Sequence, residues 1–131
     1  MGHVRFTAFY LLCGMGATAA QIAIEPASMV PNIGASGAIA GVLAAYLINY
    51  PKARVQTIVP LGFLILPFKV PAVVYLPIWF GLQALSGLAS LGMDTSVDAG
   101  GVAYFAHVGG FIVGLLLVKP FQVRQSTQAL F

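Results

Sequence analysis

Charged side chains are what this sequence most lacks. Of its 131 residues, six are Lys or Arg and three are Asp or Glu, so the charged share is 7%. An ordinary soluble domain carries charge at about 25% of its positions. With a hydrophobic share of 60% and a mean hydropathy of +0.95, the chain has too little charge to cover a surface that faces water. We therefore expect lipid to be the solvent for much of it.

The scarcity of charge also limits the expected partners. The six basic residues are scattered along the chain rather than clustered. Nucleic-acid binding needs a basic patch or stripe, so we expect no nucleic-acid partner. The lipid bilayer is the partner that the composition predicts.

Cysteine is nearly absent as well. Cys13 is the only one, so the chain has no intramolecular disulfide and no cluster of thiolate metal ligands. It lies in an apolar run, where we expect a buried, inert thiol. No metal and no cofactor is expected. The first residues do not resemble a cleavable signal either, because the apolar run after them is too long and no small-residue cleavage site ends it.

Long apolar runs, by contrast, dominate the sequence, and each of the four approaches the ~20 residues that a membrane-spanning helix needs. Residues 55–69 are also apolar, but Pro60 and Pro67 interrupt them, which indicates an interfacial or re-entrant connection rather than a span. The sequence predicts an all-α, polytopic transmembrane helical bundle. It forms one domain over residues 1–131, with spans near 6–24, 33–50, 71–92 and 101–118.

The few charges fall on opposite sides of such a bundle. When the four spans thread alternately, every basic residue lies on one side and every acidic residue on the other. The positive-inside rule places the side rich in Lys and Arg in the cytoplasm, so the second and fourth spans run inwards from the outside. We expect a bacterial plasma membrane, with the acidic residues solvated outside. The basic residues are Arg5, Lys52, Arg54, Lys69, Lys119 and Arg124, and the acidic residues are Glu25, Asp94 and Asp98.

Two reactive side chains, Ser36 and His107, are predicted at similar depth. Each lies near the outer end of its span, and at 1.5 Å per residue both are roughly 5–10 Å below the outer surface. Gly37 and Gly41 form a GxxxG pattern beside the serine, and Gly110 and Gly114 form another beside the histidine. Such patterns permit close helix packing, which would bring the serine and the histidine together.

More than one role suits these residues. A serine in an apolar helix commonly packs against a neighbour and hydrogen-bonds a backbone carbonyl, and an intramembrane histidine is structural as often as it is a proton or metal site. As a pair within hydrogen-bond reach, Ser36 and His107 would instead be a nucleophile and its base. A transporter in which His107 relays protons is a further reading, weakened by the lack of an intramembrane carboxylate.

The segments GASGAIAG (34–41) and AHVGGFIVG (106–114) resemble the GxSG and AHxxG motifs of the rhomboid family of intramembrane serine proteases. The segments GHVRFTAFYLLCG, YPKARVQTIVP and LPIWFGLQALSG also resemble rhomboid helices and connections, so the resemblance covers essentially the whole chain. It implies that Ser36 is the nucleophile and His107 the general base that later protonates the leaving amine. Gly34 and the Ser36 backbone N–H would form the oxyanion site.

The resemblance implies cleavage of other membrane proteins within or near their transmembrane segments, at points where Gly, Pro or Ala loosens the helix. The alternative is a catalytically silent rhomboid-like protein that binds membrane clients. Rhomboids usually have six core helices, and a helix before the first one here carries an HxxxN motif that assists the oxyanion. That helix is absent from this sequence, so we expect the 131 residues to be a truncated family member, a partial gene product or an excerpt of a longer chain.

Two further expectations concern the surroundings of His107. Some rhomboids place an aromatic residue one turn after the serine to stack on the histidine ring, but this chain has Ala40 there. We therefore expect glycine packing alone to hold the ring. In the third helix, Trp79 and Phe80 are expected to be packing or interfacial anchors. Gln83 is expected to make a structural hydrogen bond and to have no catalytic part.

Overall fold

The computed structural model describes residues 1–27, 34–61, 64–91 and 103–122. Within these residues the structure has four helices and a two-stranded hairpin, which lies between the second and third helices. The outer carboxylates Asp94 and Asp98, the basic Arg124 and the ends of the predicted spans at Ile33, Gly92 and Gly101 lie outside the described residues. The elements are α1 (His3–Ile24), α2 (Ser36–Asn49), β1 (Arg54–Leu61), β2 (Leu64–Pro71), α3 (Ala72–Ser90) and α4 (Tyr104–Phe121).

Three of the helices in the described part of the chain, α1, α3 and α4, are long and apolar enough to cross a membrane. The predicted class of a helical membrane bundle is thus confirmed. The fourth, α2, has 14 residues and is shorter than its predicted span of 33–50. Gly34 has a φ of 120°, which no α-helix contains, so the helix begins after it. Tyr50 precedes Pro51 and adopts φ −134°, which ends it.

The connection between α2 and α3 is an antiparallel hairpin, which the sequence analysis did not identify. Arg54 pairs with Pro71, and the register continues to Leu61 opposite Leu64. Successive side chains of a strand point to opposite faces, so Arg54, Gln56 and the cross-strand Lys69 share one face. Residues 55–69, which were expected not to span the membrane, therefore belong to a hairpin, and one face of that hairpin carries polar and basic side chains.

Helix α4 is the centre of the bundle, since it packs against α1, α2 and α3. Its inner side is built mostly from small residues and from Phe105, Phe111 and Val118, all buried. Cys13 of α1 is fully buried in a cluster with Phe9 and Val118, which confirms the expected buried thiol. The described residues include no fully buried charged or polar side chain.

Backbone-to-backbone contact joins α2 and α4. A Cβ atom on Gly110 would overlap the carbonyl oxygen of Gly37, and one on Gly114 would overlap the carbonyl oxygen of Gly41. In the reverse direction, a Cβ on Gly41 would lie 2.9 Å from the Gly110 carbonyl oxygen. The two GxxxG patterns therefore face each other, and only hydrogen atoms separate the backbones there.

The outward faces of the helices are apolar. Leu11 and Met15 of α1, Ile78 and Leu82 of α3 and Leu116 of α4 are each more than half exposed. Contiguous apolar surface of this extent does not suit water, and helices satisfy their own backbone groups in lipid. The chain is an integral membrane protein.

The glycine contact predicts a sharp difference between two alanine substitutions. We expect Gly110→Ala to destabilise the bundle by about 1–3 kcal/mol or more, because the new methyl group forces α2 and α4 apart. Gly81→Ala, in α3, has open space around its Cβ and should be neutral or stabilising by about 0.5–1 kcal/mol. Unfolding in mixed micelles followed by circular dichroism measures both. Equal stability of the two variants would contradict the described packing.

Candidate active site

Ser36 is the first residue of α2, and Gly34 sets its position. The left-handed φ of 120° at Gly34 turns the chain into the helix, and L side chains rarely adopt that conformation. The first helical hydrogen bond of α2 runs from the Ile39 N–H to the Ala35 carbonyl. The N–H groups of residues 36–38 precede that bond, so they belong to the helix end that attracts negative charge. The Ser36 side chain is exposed beside them.

His107 reaches the serine from the first turns of α4. Its Nε2 lies 2.9 Å from the Ser36 Oγ, a hydrogen-bond distance. The close approach of the α2 and α4 backbones makes this hydrogen bond possible, since a Cβ on Gly37 would lie only 3.2 Å from the Ala106 carbonyl oxygen. The residue that follows the serine and the residue that precedes the histidine are thus in direct backbone contact.

A third helix contacts the other side of the histidine ring. The Nδ1 of His107 lies 2.7 Å from the Oε1 of Gln83 in α3. A carbonyl oxygen only accepts, so in this contact Nδ1–H donates the hydrogen bond to the Gln83 Oε1. Nε2 then has its lone pair free to accept from the Ser36 hydroxyl. Gln83 was expected to make a structural hydrogen bond, and its partner is His107, which the sequence did not indicate.

Aromatic side chains complete the surroundings of the ring. The rings of Trp79 and His107 have centroids 6.0 Å apart at 33°. Trp79 also lies against Phe111, with centroids 6.4 Å apart, and Phe80 stacks on Phe111 at 4.5 Å. The expectation that glycine packing alone holds His107 was therefore wrong: α3 supplies both a hydrogen bond and an aromatic neighbour. Ala40 is fully buried in this cluster, where its small side chain leaves room for the aromatic residues.

Helix α1 fixes the start of α4. The backbone N–H of Ala106 donates to the Gln21 Oε1 at 3.2 Å, and the Gln21 Nε2 donates to the Glu25 carboxylate. The N-cap residue of α4, Ala103, makes no side-chain capping bond. The same N–H also donates to the Ala103 carbonyl oxygen at 3.0 Å, so Gln21 supplies a second acceptor to this backbone donor, directly before His107. The sequence analysis missed this contact because Gln21 lies in an otherwise apolar run.

A cavity of about 610 Å³ opens beside the serine. It lies between α1 and the start of α2, and its walls are largely apolar. Ser36 contributes to its lining, so the hydroxyl is accessible from this side. Other lining residues are Tyr10, Gly14, Thr18, Ala35 and Ala38.

The described residues contain no cluster of three His, Cys, Asp or Glu side chains that could hold a metal ion. The structure brings together Ser36, His107 and the glycines of the two GxxxG patterns, and places Gly34 two residues before the serine. Their catalytic and oxyanion roles stay predictions. The chemistry available is that of a hydroxyl hydrogen-bonded to an imidazole whose other nitrogen is also bonded.

One family model, described as Rhomboid domain, matches residues 1–122 of the chain. The matched range includes all four helices and the hairpin. Neither the curated proteins nor the solved structures contain a match.

The contact between α1 and α4 is testable at the amide of Ala106. We expect Gln21→Met to speed hydrogen exchange of this amide about two- to tenfold, because the amide loses one of its two acceptors and a lost hydrogen bond is worth roughly 0.5–1.5 kcal/mol. Gln56→Met, on the exposed face of the hairpin, is the matched control and should leave that exchange unchanged. An Ala106 amide equally protected in both variants would show that Gln21 does not cap α4.

Proposed function

The chain belongs to the rhomboid family, and from this we propose that it is an intramembrane serine protease that cleaves other membrane proteins. The hydrogen bond of 2.9 Å between the Ser36 Oγ and the His107 Nε2 is the observation that carries the proposal. A hydroxyl is a weak nucleophile unless a base takes its proton, and this geometry supplies the base.

The reaction divides into two steps of acyl transfer. In the first, the His107 Nε2 takes the Ser36 proton while Oγ attacks the carbonyl carbon of the scissile peptide. The tetrahedral intermediate collapses as the imidazolium gives that proton to the leaving amine. In the second, a water molecule gives a proton to Nε2 and attacks the acyl-enzyme. The second tetrahedral intermediate collapses by breaking its bond to the Ser36 Oγ, the imidazolium returns the proton to Oγ, and the acid is released.

The oxyanion of each tetrahedral intermediate needs donors in place before it forms. We assign this role to the Ser36 backbone N–H, at the start of α2, with Gly34 lining the same position. Backbone donors at a helix N-terminus need no rearrangement as charge develops, which is what favours the transition state over the bound substrate. The left-handed φ at Gly34 supports this assignment, since it turns the chain next to the site.

We infer the membrane orientation from the charges at the ends of the helices. Gln122 donates a hydrogen bond to Asn49, which joins the C-terminal ends of α2 and α4, far from Ser36 and His107. The basic Lys52, Arg54, Lys69 and Lys119 belong to the elements at those ends. We assign this basic end to the cytoplasm of a bacterial plasma membrane and the site to the outer side.

The position of the site restricts its substrates. A peptide bond inside a helix is hydrogen-bonded and shielded, so the substrate must unwind locally before the serine reaches its carbonyl. We infer substrates whose transmembrane segments carry Gly, Pro or Ala near their outer ends. A catalytically silent member that binds such segments without cutting them is the second candidate, and probe labelling distinguishes the two.

We expect a fluorophosphonate probe to label the wild-type protein at Ser36. Ser36→Ala should abolish labelling, and His107→Ala should slow it by a factor of at least about 100, because the base is lost. In-gel fluorescence of the protein in detergent micelles measures this.

Each variant has a matched control in the same chain. Ser86→Ala removes a serine from α3, and His3→Ala removes the other histidine, at the start of α1. Both should label like wild type. Wild-type labelling no greater than that of Ser36→Ala would favour the silent client-binding member.

The orientation predicts which loop a membrane-impermeant maleimide reaches in intact bacterial cells. We expect Pro26→Cys, at the outer end of α1, to react in intact cells, and Lys52→Cys, before the hairpin, to react only after permeabilisation. Wild type is the control, since its one cysteine is buried. The opposite pattern would reverse the proposed orientation.

A further inference from the structure

We propose that Gln83 is a positioning residue of the Ser36–His107 pair. Its side-chain carbonyl holds the imidazole in the tautomer whose Nε2 accepts the serine proton. This inference rests on the proposed function. It assigns Gln83 a part in the reaction, where the sequence analysis gave it a structural hydrogen bond alone.

The two hydrogen bonds lie on opposite nitrogens of one ring. Gln83 Oε1 is 2.7 Å from Nδ1, and Ser36 Oγ is 2.9 Å from Nε2. A neutral imidazole has one proton to place, and the acceptor at Nδ1 decides where it goes. Without that acceptor the proton can move to Nε2, and a protonated Nε2 cannot accept from the serine.

An amide suits this position throughout the reaction. When His107 becomes an imidazolium, both of its nitrogens donate: Nδ1–H continues to bond Gln83, and Nε2–H is directed at the leaving amine. Glu25, the one carboxylate among the described residues, is bonded to Gln21 in α1. Within the described part of the chain, the orienting acceptor of this histidine is thus a neutral amide in place of the aspartate of a Ser-His-Asp triad.

Packing between α3 and α4 fixes which residue of α4 lies opposite Gln83. Residues four apart lie on one face of a helix, so Trp79, Gln83 and Gly87 form one stripe along α3. Trp79 contacts Phe111 at one end of the stripe, and a Cβ on Gly87 would lie 3.2 Å from the Phe105 ring at the other.

Between those two contacts, Gln83, the middle residue of the stripe, hydrogen-bonds His107 in the first turns of α4. Along α4 the partners follow in the order Phe105, His107 and Phe111, which is antiparallel to the stripe. Gln83 is therefore held opposite His107 by contacts on both sides of it.

Labelling kinetics with a fluorophosphonate probe test the role of the acceptor. Gln83→Met keeps the length and removes the acceptor, and we expect its maximal labelling rate to fall about 10- to 100-fold, with the half-saturating probe concentration within about twofold of wild type. Gln83→Glu keeps an acceptor at the same place and should stay within about fivefold of wild type.

Leu82→Ala, on the exposed side of α3 one residue away, is the matched control and should label at the wild-type rate. A Gln83→Met protein that labels at the wild-type rate would overturn the proposal. So would equal losses in Gln83→Met and Gln83→Glu, because those would indicate a packing role rather than an acceptor.

Nitrogen NMR of the ring reports the tautomer without any proteolysis. The chain has two histidines, so a His3→Gln protein labelled with ¹⁵N-histidine reports His107 alone. We expect a proton on Nδ1 in this protein, and a shift of population toward Nε2–H when Gln83→Met is added. A wild-type ring protonated at Nε2, or one whose tautomer does not respond to Gln83→Met, would overturn the inference.

The two experiments separate this inference from the function on which it rests. If wild type fails to label while its ring is protonated at Nδ1 and responds to Gln83→Met, the protease assignment fails and the orienting contact stands. If wild type labels and neither readout responds to Gln83→Met, the protease assignment stands and Gln83 is not a positioning residue.

Discussion

The contact between the backbones of α2 and α4 is the constraint on which the rest of the molecule depends. Gly37 meets Gly110, and Gly41 meets Gly114, so closely that a methyl group has no room on either of the α4 glycines. In lipid no hydrophobic force drives helices together, and close packing of this kind supplies the attraction instead. The same contact brings Ser36 and His107 to 2.9 Å, because each is next to a residue at the crossing. Stability and chemistry therefore share one surface, and a substitution that separates the helices removes both.

Several polar side chains of the bundle form hydrogen bonds that join different helices. Ser36, His107 and Gln83 connect α2, α4 and α3. Gln21 connects α1 to the backbone of α4, and Asn49 connects the end of α2 to Gln122. A polar group in hydrocarbon is costly when it lacks a partner, so each such residue restricts how its helix can sit. The glycines set how close the helices come, and these polar bonds set their rotation and register.

The sequence predicted the helical membrane class because apolar runs of spanning length need only composition to be recognised. Motif and depth suggested that Ser36 and His107 face each other. The partner of Gln83 was not predictable, since it depends on how α3 rotates against α4, and no periodic signal in an all-apolar helix fixes that rotation. The hairpin was missed because Pro60 and Pro67 obscure its alternation. The start of α2 was not predictable either, because it depends on the φ of Gly34, which composition does not report.

That glycine, Gly34, has a property that crowding does not explain. A Cβ there would find its nearest neighbour, the Ser36 Oγ, at a comfortable 3.8 Å, so the site has space for a larger residue. The backbone conformation is what excludes one, because L side chains rarely adopt a φ of 120°. The position thus selects by chirality and not by size: a positive φ is ordinary for D-alanine and strained for L-alanine. Among the twenty encoded amino acids, only the achiral one meets that requirement without cost.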